Sequence, residues 1–350
     1  IIFIVINLIG LTFVTAGYHE SAGDSSSMLK SLGFGFMLLT VAGLIFFKGR
    51  KMMSSVSRIL VGGLFIVSGL VKANDPIGFA YKLEEYFEDG ALAFRIKEWF
   101  GMPDFSLEFF IEYALLLSIV ICIAEIVLGV LVIIGGKIKI VSYSMLFMMV
   151  FFTFLTWHTS NCDASVKFLD RDTYEMTDPV AQIKIDESAD NEELTIISQN
   201  ETTLVVDEMK QPQCVDDCGC FGDALKGSVG RSLTPQESMW KDLILLYLVI
   251  WIFAAQWIIN PNSRKENVKF VGASLVVILF FSFVFGWYFP LLFGAAAIFG
   301  ALWVLKSGGK FLGNYYGSAL FVTLLCGAVV WYVLSYLPIK DYRPYAEGSN

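Results

Sequence analysis

The chain alternates long apolar runs with short polar segments. Nine of the runs have roughly the length of a membrane-spanning helix, which needs about 20 residues at a rise of about 1.5 Å per residue. They cover residues 1–17, 31–47, 58–74, 107–135, 138–158, 238–259, 268–289, 291–305 and 314–337. The pattern predicts an all-α integral membrane protein with about nine transmembrane helices. A β-barrel is excluded, because barrel strands would give alternating segments of about ten residues.

Composition supports this interpretation. Hydrophobic residues make up 56% of the chain and charged residues 17%, whereas soluble domains have about 45–50% apolar and about 25% charged residues. Only Pro290 separates the run 268–289 from the run 291–305. We therefore expect these two spans to form a tight helical hairpin.

The charges predict how the chain is oriented. Loops 48–58, 135–140, 260–270 and 306–313 contain eleven Lys and Arg residues and one acid, and loops rich in Lys and Arg stay in the cytoplasm. Segment 160–237 has seventeen acidic and six basic side chains, a net charge of −11, so the formal charge of −8 comes from the outer face. This predicts a bacterial inner-membrane protein with a cytoplasmic N-terminus and a periplasmic C-terminus. It gives no sign of nucleic-acid binding.

Two polar segments are expected on the outer side. In segment 75–104, Asp75-Pro76 can begin a helix, and apolar residues then recur at helical spacing up to residue 88. We expect an amphipathic helix on the outer membrane interface, which is either a plain connector or a lid or partner surface. Segment 163–213 contains short runs rich in β-branched residues, which predict a small antiparallel sheet. The runs are Val166–Leu169, Ala181–Ile185, Leu194–Ile197 and Thr202–Val206.

Three of the six cysteines, Cys214, Cys218 and Cys220, lie within seven residues of one another. Thiols outside the bacterial inner membrane form disulfides, so the cluster is a structural staple, a redox-active pair or a metal site. A bond between Cys218 and Cys220 would close a small strained ring, and strain makes a disulfide labile. Zinc would need a fourth ligand, for which His158 is the nearby candidate, but the spacing fits no zinc pattern. We therefore predict no metal.

Cys162 and Cys214 lie at the two ends of the polar insertion. We expect them to form a structural disulfide, which would leave Cys218 and Cys220 to act together as a catalytic pair. Cys122 and Cys326 lie in apolar spans, where free cysteines commonly fill cores.

Glu125 lies deep inside the apolar span 107–135. An ionisable residue at that depth is costly and is a candidate functional residue. We expect it to meet a polar neighbour from the third span, Lys72 or Ser68. The site would then be a proton or quinone site with Glu125 and Lys72 as catalytic residues. The alternative is a structural clamp between helices.

Other cofactors are not expected. The two histidines, His19 and His158, lie at the outer ends of spans, whereas a transmembrane haem needs ligands inside the bundle. The inner loops are too short for a nucleotide-binding domain. A transporter is not expected either, because it would need broken spans or several intramembrane charges, and Glu125 is the one buried acid that the sequence indicates.

Three motifs resemble the DoxX/MauE superfamily of bacterial inner-membrane proteins. They are Arg58–Pro76 (RILVGGLFIVSGLVKANDP), Ala124–Gly135 (AEIVLGVLVIIG) and Asp217–Asp223 (DCGCFGD). The tail from Leu337 to Tyr345 looks like that of larger members from Bacteroidota, in which a thioredoxin-like periplasmic region often follows. The insertion 163–213 is longer than this family pattern.

The resemblance implies a DoxX-like four-helix core and a link to thiol or quinone redox chemistry and disulfide maturation. We therefore expect two N-terminal spans in 1–57, the core in 58–259 with the periplasmic insertion 160–237, three further spans in 260–337 and a periplasmic tail in 338–350. The function expected is thiol–disulfide or electron transfer, with quinone as the acceptor. The alternative is a non-catalytic subunit of a cell-envelope membrane complex. Partners would be lipid, other membrane or periplasmic proteins and a thioredoxin-like protein.

Overall fold

The computed structural model describes residues 49–188, 193–215, 233–307 and 314–336. These residues form ten α-helices and three strands. In chain order they are α1 Arg50–Asn74, α2 Pro76–Phe87, α3 Phe94–Phe100, α4 Ala114–Ile134, α5 Ile138–Ser160, β1 Phe168–Glu175, α6 Pro179–Ser188, β2 Leu194–Gln199, β3 Thr203–Lys210, α7 Pro235–Ala255, α8 Arg264–Val284, α9 Phe289–Lys306 and α10 Tyr315–Tyr336. A π-helical turn, Asp89–Ala93, precedes α3, and a 3₁₀ turn, Glu108–Tyr113, precedes α4.

Seven of the described helices are long and apolar enough to cross a membrane: α1, α4 with its 3₁₀ turn, α5, α7, α8, α9 and α10. They correspond to the last seven predicted spans, although α1 begins at Arg50 instead of residue 58. The two spans predicted in 1–17 and 31–47 lie outside the described residues. The protein is thus a mostly helical multi-pass membrane protein with a small sheet, and the predicted total of nine spans is not confirmed.

The spanning helices bury one face and expose another. The buried faces share an apolar core that includes Ile66 of α1, Ile133 of α4 and Val249 of α7. Large apolar side chains remain exposed on the outer faces, such as Phe147 of α5 and Trp303 of α9. Exposed apolar patches of this size mark a surface that meets other apolar material, which for spanning helices is lipid.

Close packing of α1 against α4 explains the glycines in the first two motifs. A Cβ atom added to Gly62 would lie 2.5 Å from Ile133, and one added to Gly129 would lie 2.8 Å from the Gly62 carbonyl. One turn from the outer end of α1, a Cβ on Gly69 would lie 2.6 Å from Ile126. Small residues therefore let the two backbones approach closely, as is common between transmembrane helices.

At the end of the bundle opposite the insertion, Arg58 joins three parts of the chain. Its side chain is buried and donates hydrogen bonds to the Val132 carbonyl (2.9 Å) and to Asn262 Oδ1 (2.8 Å). Asn262, in the connection between α7 and α8, also donates to the Ile133 carbonyl at 2.9 Å. The guanidinium lies 4.2 Å from the ring centroid of Phe270 in α8. This network fixes α1, α4 and α8 relative to one another.

The helical hairpin predicted around Pro290 is present as α8 and α9. Gly286 adopts a left-handed conformation with φ of +63°, and Trp287 N donates to the Ser282 carbonyl at 3.0 Å. Glycine accepts positive φ without steric cost, so it ends α8 and reverses the chain. Pro290 occupies the first turn of α9, where a missing amide hydrogen costs no helical hydrogen bond.

The amphipathic helix predicted after Asp75 is α2, and it packs against the bundle. Asp75 caps the helix by accepting a hydrogen bond from Gly78 N at 2.9 Å. The apolar face, which includes Phe79, Leu83 and Tyr86, is buried in a second apolar cluster with residues of α4 and α5. Tyr86 Oη is also 2.6 Å from Thr159 Oγ1 of α5. The helix covers the outer end of the bundle with this face, so the expectation of a free interfacial helix is incomplete.

The insertion contains a three-stranded antiparallel sheet in the order β1–β3–β2. Three of the four predicted strand segments lie at or next to these strands. The prediction for Ala181–Ile185 is wrong, because these residues belong to helix α6. Asp178 Oδ1 accepts from Val180 N at 2.9 Å, and Pro179 begins the helix. Ala181 and Ile185 are one helical turn apart and both pack on the sheet, so helical spacing buries them.

Candidate functional site

An ion pair between two spanning helices forms the centre of the candidate site. Lys72 Nζ of α1 lies 2.7 Å from Glu125 Oε1 of α4, and both side chains are at most 4% exposed. Ser68, one turn earlier on α1, accepts a hydrogen bond from Lys72 Nζ at 3.0 Å. The contact depends on Gly69, since a Cβ there would lie 3.1 Å from Glu125 Cβ. Glu125 therefore faces protein, with the two polar neighbours that the sequence suggested.

The surroundings of the pair are mainly aromatic and apolar. Lys72 Nζ lies 4.8 Å from the ring centroid of Phe152 and 5.3 Å from that of Phe79. Cys122 and Gly129 share the buried face of α4 with Glu125, because they are three and four residues from it. Within the described chain, the second carboxylate oxygen, Glu125 Oε2, is buried and has no hydrogen-bond partner. A buried polar atom without a partner is costly and requires an explanation.

A water-sized cavity adjoins the ion pair and reaches α7. Its lining includes Lys72 and Glu125 together with a second charged pair, Lys241 and Asp242. Lys241 Nζ lies 3.1 Å from Asp242 Oδ1, and Asp242 is 2% exposed. Apolar side chains complete the lining, among them Leu64, Phe65, Met149, Phe152 and Leu245.

Sequence analysis missed Asp242 as a member of this site. The predicted span 238–259 contains Asp242, which follows the first residue of α7 by seven positions and lies about 10 Å along the helix. That depth is a signal of the same kind as the one that selected Glu125. The convergence of α1, α4 and α7 on one cavity depends on tertiary packing and is not encoded in any local pattern.

The cysteines fall into three groups. A disulfide joins Cys162 and Cys214, with Cα atoms 5.6 Å apart, which is the pairing expected from the sequence. Cys122 and Cys326 are buried free thiols. Cys218 and Cys220, which sequence analysis assigned as a redox pair, lie outside the described residues. With Cys214 in a disulfide, it is not available as the thiolate ligand that the zinc alternative requires.

His158 lies at the outer end of α5, one helical turn before Cys162. It is fully buried, and its ring packs against Phe94 (5.5 Å between centroids) and Tyr86 (6.5 Å). Neither ring nitrogen has a hydrogen-bond partner among the described residues. This environment is apolar, so nothing described here positions His158 as a ligand.

A second buried charge cluster ties the insertion to the outer end of the bundle. Asp170 of β1 forms ion pairs with Lys97 of α3 and with Lys210 of β3, the latter at 2.5 Å. Lys210 also pairs with Asp172 at 2.8 Å, and Lys97 lies 3.8 Å from Asp89. Beside these contacts, the rings of Phe94 and Phe168 pack at 5.4 Å.

The electrostatics of this cluster favour its ionised form. Burial raises the pKa of the Asp170 carboxyl, but hydrogen bonds and charges from Lys210 and Lys97 outweigh burial, and the net effect lowers the pKa. For Lys210, burial opposes the charged form, and the hydrogen bonds and charges of Asp170 and Asp172 raise its pKa overall. Ligand oxygens of Asp89, Asp170 and Asp172 lie within 4.8 Å of one another. Lys97 and Lys210 pair with all three carboxylates and link α3, β1 and β3, which favours a structural clamp.

The two charged regions differ in chemical capacity. The outer cluster surrounds Asp170 with two ammonium groups. In the bundle, Glu125 and Asp242 each keep one buried oxygen without a partner in the described structure, beside one cavity. Such oxygens can accept a proton or a hydrogen bond from a small polar molecule. The site is therefore suited to handling protons within the membrane.

A comparison with known protein families gives a match that includes α1 and α4, the helices that contain Lys72 and Glu125. Residues 50–162 match the family model described as methylamine utilisation protein MauE. No match was found among curated proteins or among solved structures. The matched segment begins with α1 and ends at Cys162, so it contains both Lys72 and Glu125. The match over residues 50–162 is consistent with a membrane protein of the DoxX/MauE type.

Proposed function

We propose that this protein transfers electrons between periplasmic thiols and a membrane quinone, with Cys218 and Cys220 as the redox pair and Glu125 as the proton-handling group. The observation that carries the proposal is the buried Lys72–Glu125 ion pair, whose second carboxylate oxygen lacks a partner beside a cavity. An intramembrane ionisable residue is a functional candidate by default. The match to the MauE family model supports a membrane-associated accessory role.

The path of the chain after the disulfide supports a connection between the thiols and this site. Val215 is buried in the same apolar cluster as Phe79 and Cys122, and Gln213 N donates to the Gly90 carbonyl at 2.7 Å. Cys218 follows Val215 by three residues, so covalent geometry limits their Cα separation to about 11 Å. Cys122 precedes Glu125 by one helical turn. The short stretch of chain between Val215 and Cys218 supports a connection between the proposed redox pair and the ion pair.

The proposed step balances in electrons and protons. Two thiols on Cys218 and Cys220 form one disulfide and release two electrons and two protons. The quinone takes up both and becomes a quinol. The net proton balance is zero, but the protons must reach quinone oxygens from groups inside a low-dielectric bundle. Glu125 would accept and donate protons, and Lys72 would hold its carboxylate in place.

The test is dithiol-dependent quinone reduction by the purified protein in lipid nanodiscs. The protein is reduced, freed of reductant and mixed with a short-chain quinone, and quinone absorbance is followed by stopped flow. We expect one quinone to be reduced per wild-type chain, none by Cys218→Ser, and a rate lower by about 100-fold for Glu125→Gln, within the range for a positioned proton-transfer group.

Matched controls separate chemistry from folding. Cys326→Ser removes a buried thiol of α10 and should leave the rate unchanged. Glu266→Gln changes a carboxylate in the first turn of α8 and should also have no effect. A wild-type rate in Cys218→Ser would reject the redox assignment.

A second candidate is a non-catalytic subunit of a cell-envelope complex. It is favoured by Leu169 and Met209, which pair across β1 and β3 and are 43% and 36% exposed. Exposed apolar neighbours on a sheet outside the spanning helices offer a surface for a protein partner, such as a thioredoxin-like domain. Thiol trapping in cells distinguishes the two functions: a mixture of reduced and oxidised Cys218 and Cys220 supports redox turnover, and permanent oxidation supports the assembly role.

The proposal also requires the insertion to lie outside the bacterial inner membrane. The ends of α1 and α5, the starts of α4 and α7, and the insertion lie on one side of the bundle, and the basic loops 135–140 and 260–270 belong to the other side. In intact cells, an impermeant maleimide should label Ser165→Cys and spare Lys265→Cys. Labelling of residue 265 from outside would contradict this orientation.

A further inference from the structure

The charged pair on α7 is not accounted for by the function proposed above. Asp242 is buried, and its Oδ1 pairs with Lys241 Nζ, but Oδ2 has no hydrogen-bond partner among the described residues. Glu125 has the same property across the cavity: Oε1 is paired, and Oε2 is not. Each carboxylate therefore retains an acceptor that the described protein does not satisfy.

Glu125 and Asp242 both line one small cavity. It has space for about one water molecule and is lined by Lys72, Glu125, Lys241 and Asp242. A water has two hydrogens to donate, one for each carboxylate. From the helices that surround it, the charged groups are Lys72 of α1, Glu125 of α4, and Lys241 and Asp242 of α7, whereas α5 contributes Met149 and Phe152. Two positive and two negative groups make the site neutral overall.

The position of the α7 pair gives the site a direction. Asp242 lies about 10 Å from the start of α7, on the side of the insertion. Its neighbour Lys241 has a side chain that is 19% exposed, whereas Lys72 and Glu125 are almost completely buried. The α7 pair is therefore the part of the site closer to solvent.

We propose that Asp242 is a second proton-carrying carboxylate, joined to Glu125 by one water molecule in this cavity, and that protons move between Glu125 and the insertion side through it. A proton leaves one carboxyl for the water while the water gives a proton to the other carboxylate, so no net charge remains on the water. The use of these protons in quinone reduction rests on the proposed function. The connection between Asp242 and Glu125 does not.

Infrared spectroscopy of the protein in lipid tests this connection directly. The protein is acidified to the lowest pH at which it keeps its native circular dichroism, and the carbonyl bands of protonated carboxyl groups are followed during exchange into heavy water. We expect a band that Glu125→Gln abolishes. In Asp242→Asn, this band should shift in frequency, and its exchange should slow by about 100-fold, because the positioned proton carrier is gone.

Two variants keep the result interpretable. Asp242→Glu retains a carboxyl group and should restore exchange to near the wild-type rate, which a purely structural role for Asp242 would not predict. Asp186→Asn, on the exposed helix α6, should change neither band nor rate. Wild-type frequency and exchange rate in Asp242→Asn would overturn the inference.

The assay uses neither quinone nor thiols, so its failure is separate from failure of the proposed function. If Asp242→Asn shows the expected band shift and slower exchange but the protein does not reduce quinone with its dithiol, the redox function is rejected and the proton connection is supported. Quinone reduction with unchanged spectra in Asp242→Asn would reject the connection and leave the redox function.

Discussion

The membrane bundle and the outer insertion both bury lysine–carboxylate pairs, but they use them differently. In the insertion, Asp170 meets two ammonium groups, from Lys97 and Lys210, and the cluster joins β1 to α3. In the bundle, Glu125 meets Lys72, and its other oxygen has no partner within the described chain. In the described structure Asp170 Oδ2 also lacks a geometric hydrogen bond, but it lies 2.5 Å from Lys210 Nζ. The carboxylates of Glu125 and Asp242 instead line a cavity, where they keep capacity for a proton. A buried ion pair is therefore evidence of function only when its remaining acceptors are examined.

The largest stability effect should come from the insertion's disulfide. Replacing Cys162 and Cys214 by serine opens a loop with a sequence separation of 52, and chain entropy predicts a loss of about 4 kcal/mol for a loop of this size. Hydrogen exchange of the β1 and β3 amides would measure it. The spanning helices should keep their protection, and equal loss of protection in α1 would contradict a separation between the two regions.

Breaking the outer charge cluster should cost a similar amount. Asp170→Asn leaves the buried Lys97 with only its longer contact to Asp89, and removal of one member of a buried pair costs about 3–5 kcal/mol. The double variant Lys72→Met/Glu125→Gln removes both charges of the bundle pair, which is often close to neutral. Thermal unfolding in detergent would compare the two. If the double variant proved the less stable one, the bundle pair would be the structural clamp and not the functional site.

The glycine contact beneath the ion pair gives a third test. In Gly69→Ala, the new Cβ would lie 2.6 Å from Ile126 and 2.9 Å from the Cys122 carbonyl, and overpacking of this kind costs about 1–3 kcal/mol. Gly272→Ala on α8 is a matched control, since a Cβ there has nothing within 4 Å. We expect the control to be neutral or more stable by up to about 1 kcal/mol, from helix propensity alone. Equal unfolding temperatures for the two variants would argue against close α1–α4 packing.

The smallest effect is the dependence of the insertion on pH. The lowered pKa of Asp170 means that its stabilisation is complete above its ordinary value of 3.8 and is lost as pH falls through the lower folded value. The raised pKa of Lys210 means that its contribution is complete below 10.5 and is lost as pH rises beyond it. The protection factors of the β1 amides, which correct for the intrinsic pH dependence of exchange, should therefore be constant between these values. Asp170→Asn should flatten the acid limb and Lys210→Met the alkaline limb.

Much of the architecture followed from the sequence because it rests on local patterns. Solid apolar runs predicted the seven spans that the structure describes, and helical spacing predicted α2. The strand prediction at Ala181–Ile185 was wrong because a short run of β-branched residues cannot be separated from a helix turn without its cap at Asp178. Asp242 and the Asp170 cluster were missed, since both depend on packing between elements far apart in sequence.

The hydrogen bonds of Arg58 limit how α1 and α4 can move apart. Its hydrogen bonds to the α4 carbonyls and Asn262, together with the close contact at Gly62 and Gly129, lock the inner thirds of α1 and α4. Two helices that are held together at one end can separate only at the other end. Any opening that admits a lipid-phase molecule to Glu125 must therefore separate α1 from α4 at the ends near the insertion. The Lys72–Glu125 ion pair joins α1 to α4 in this region, so such a movement must break it.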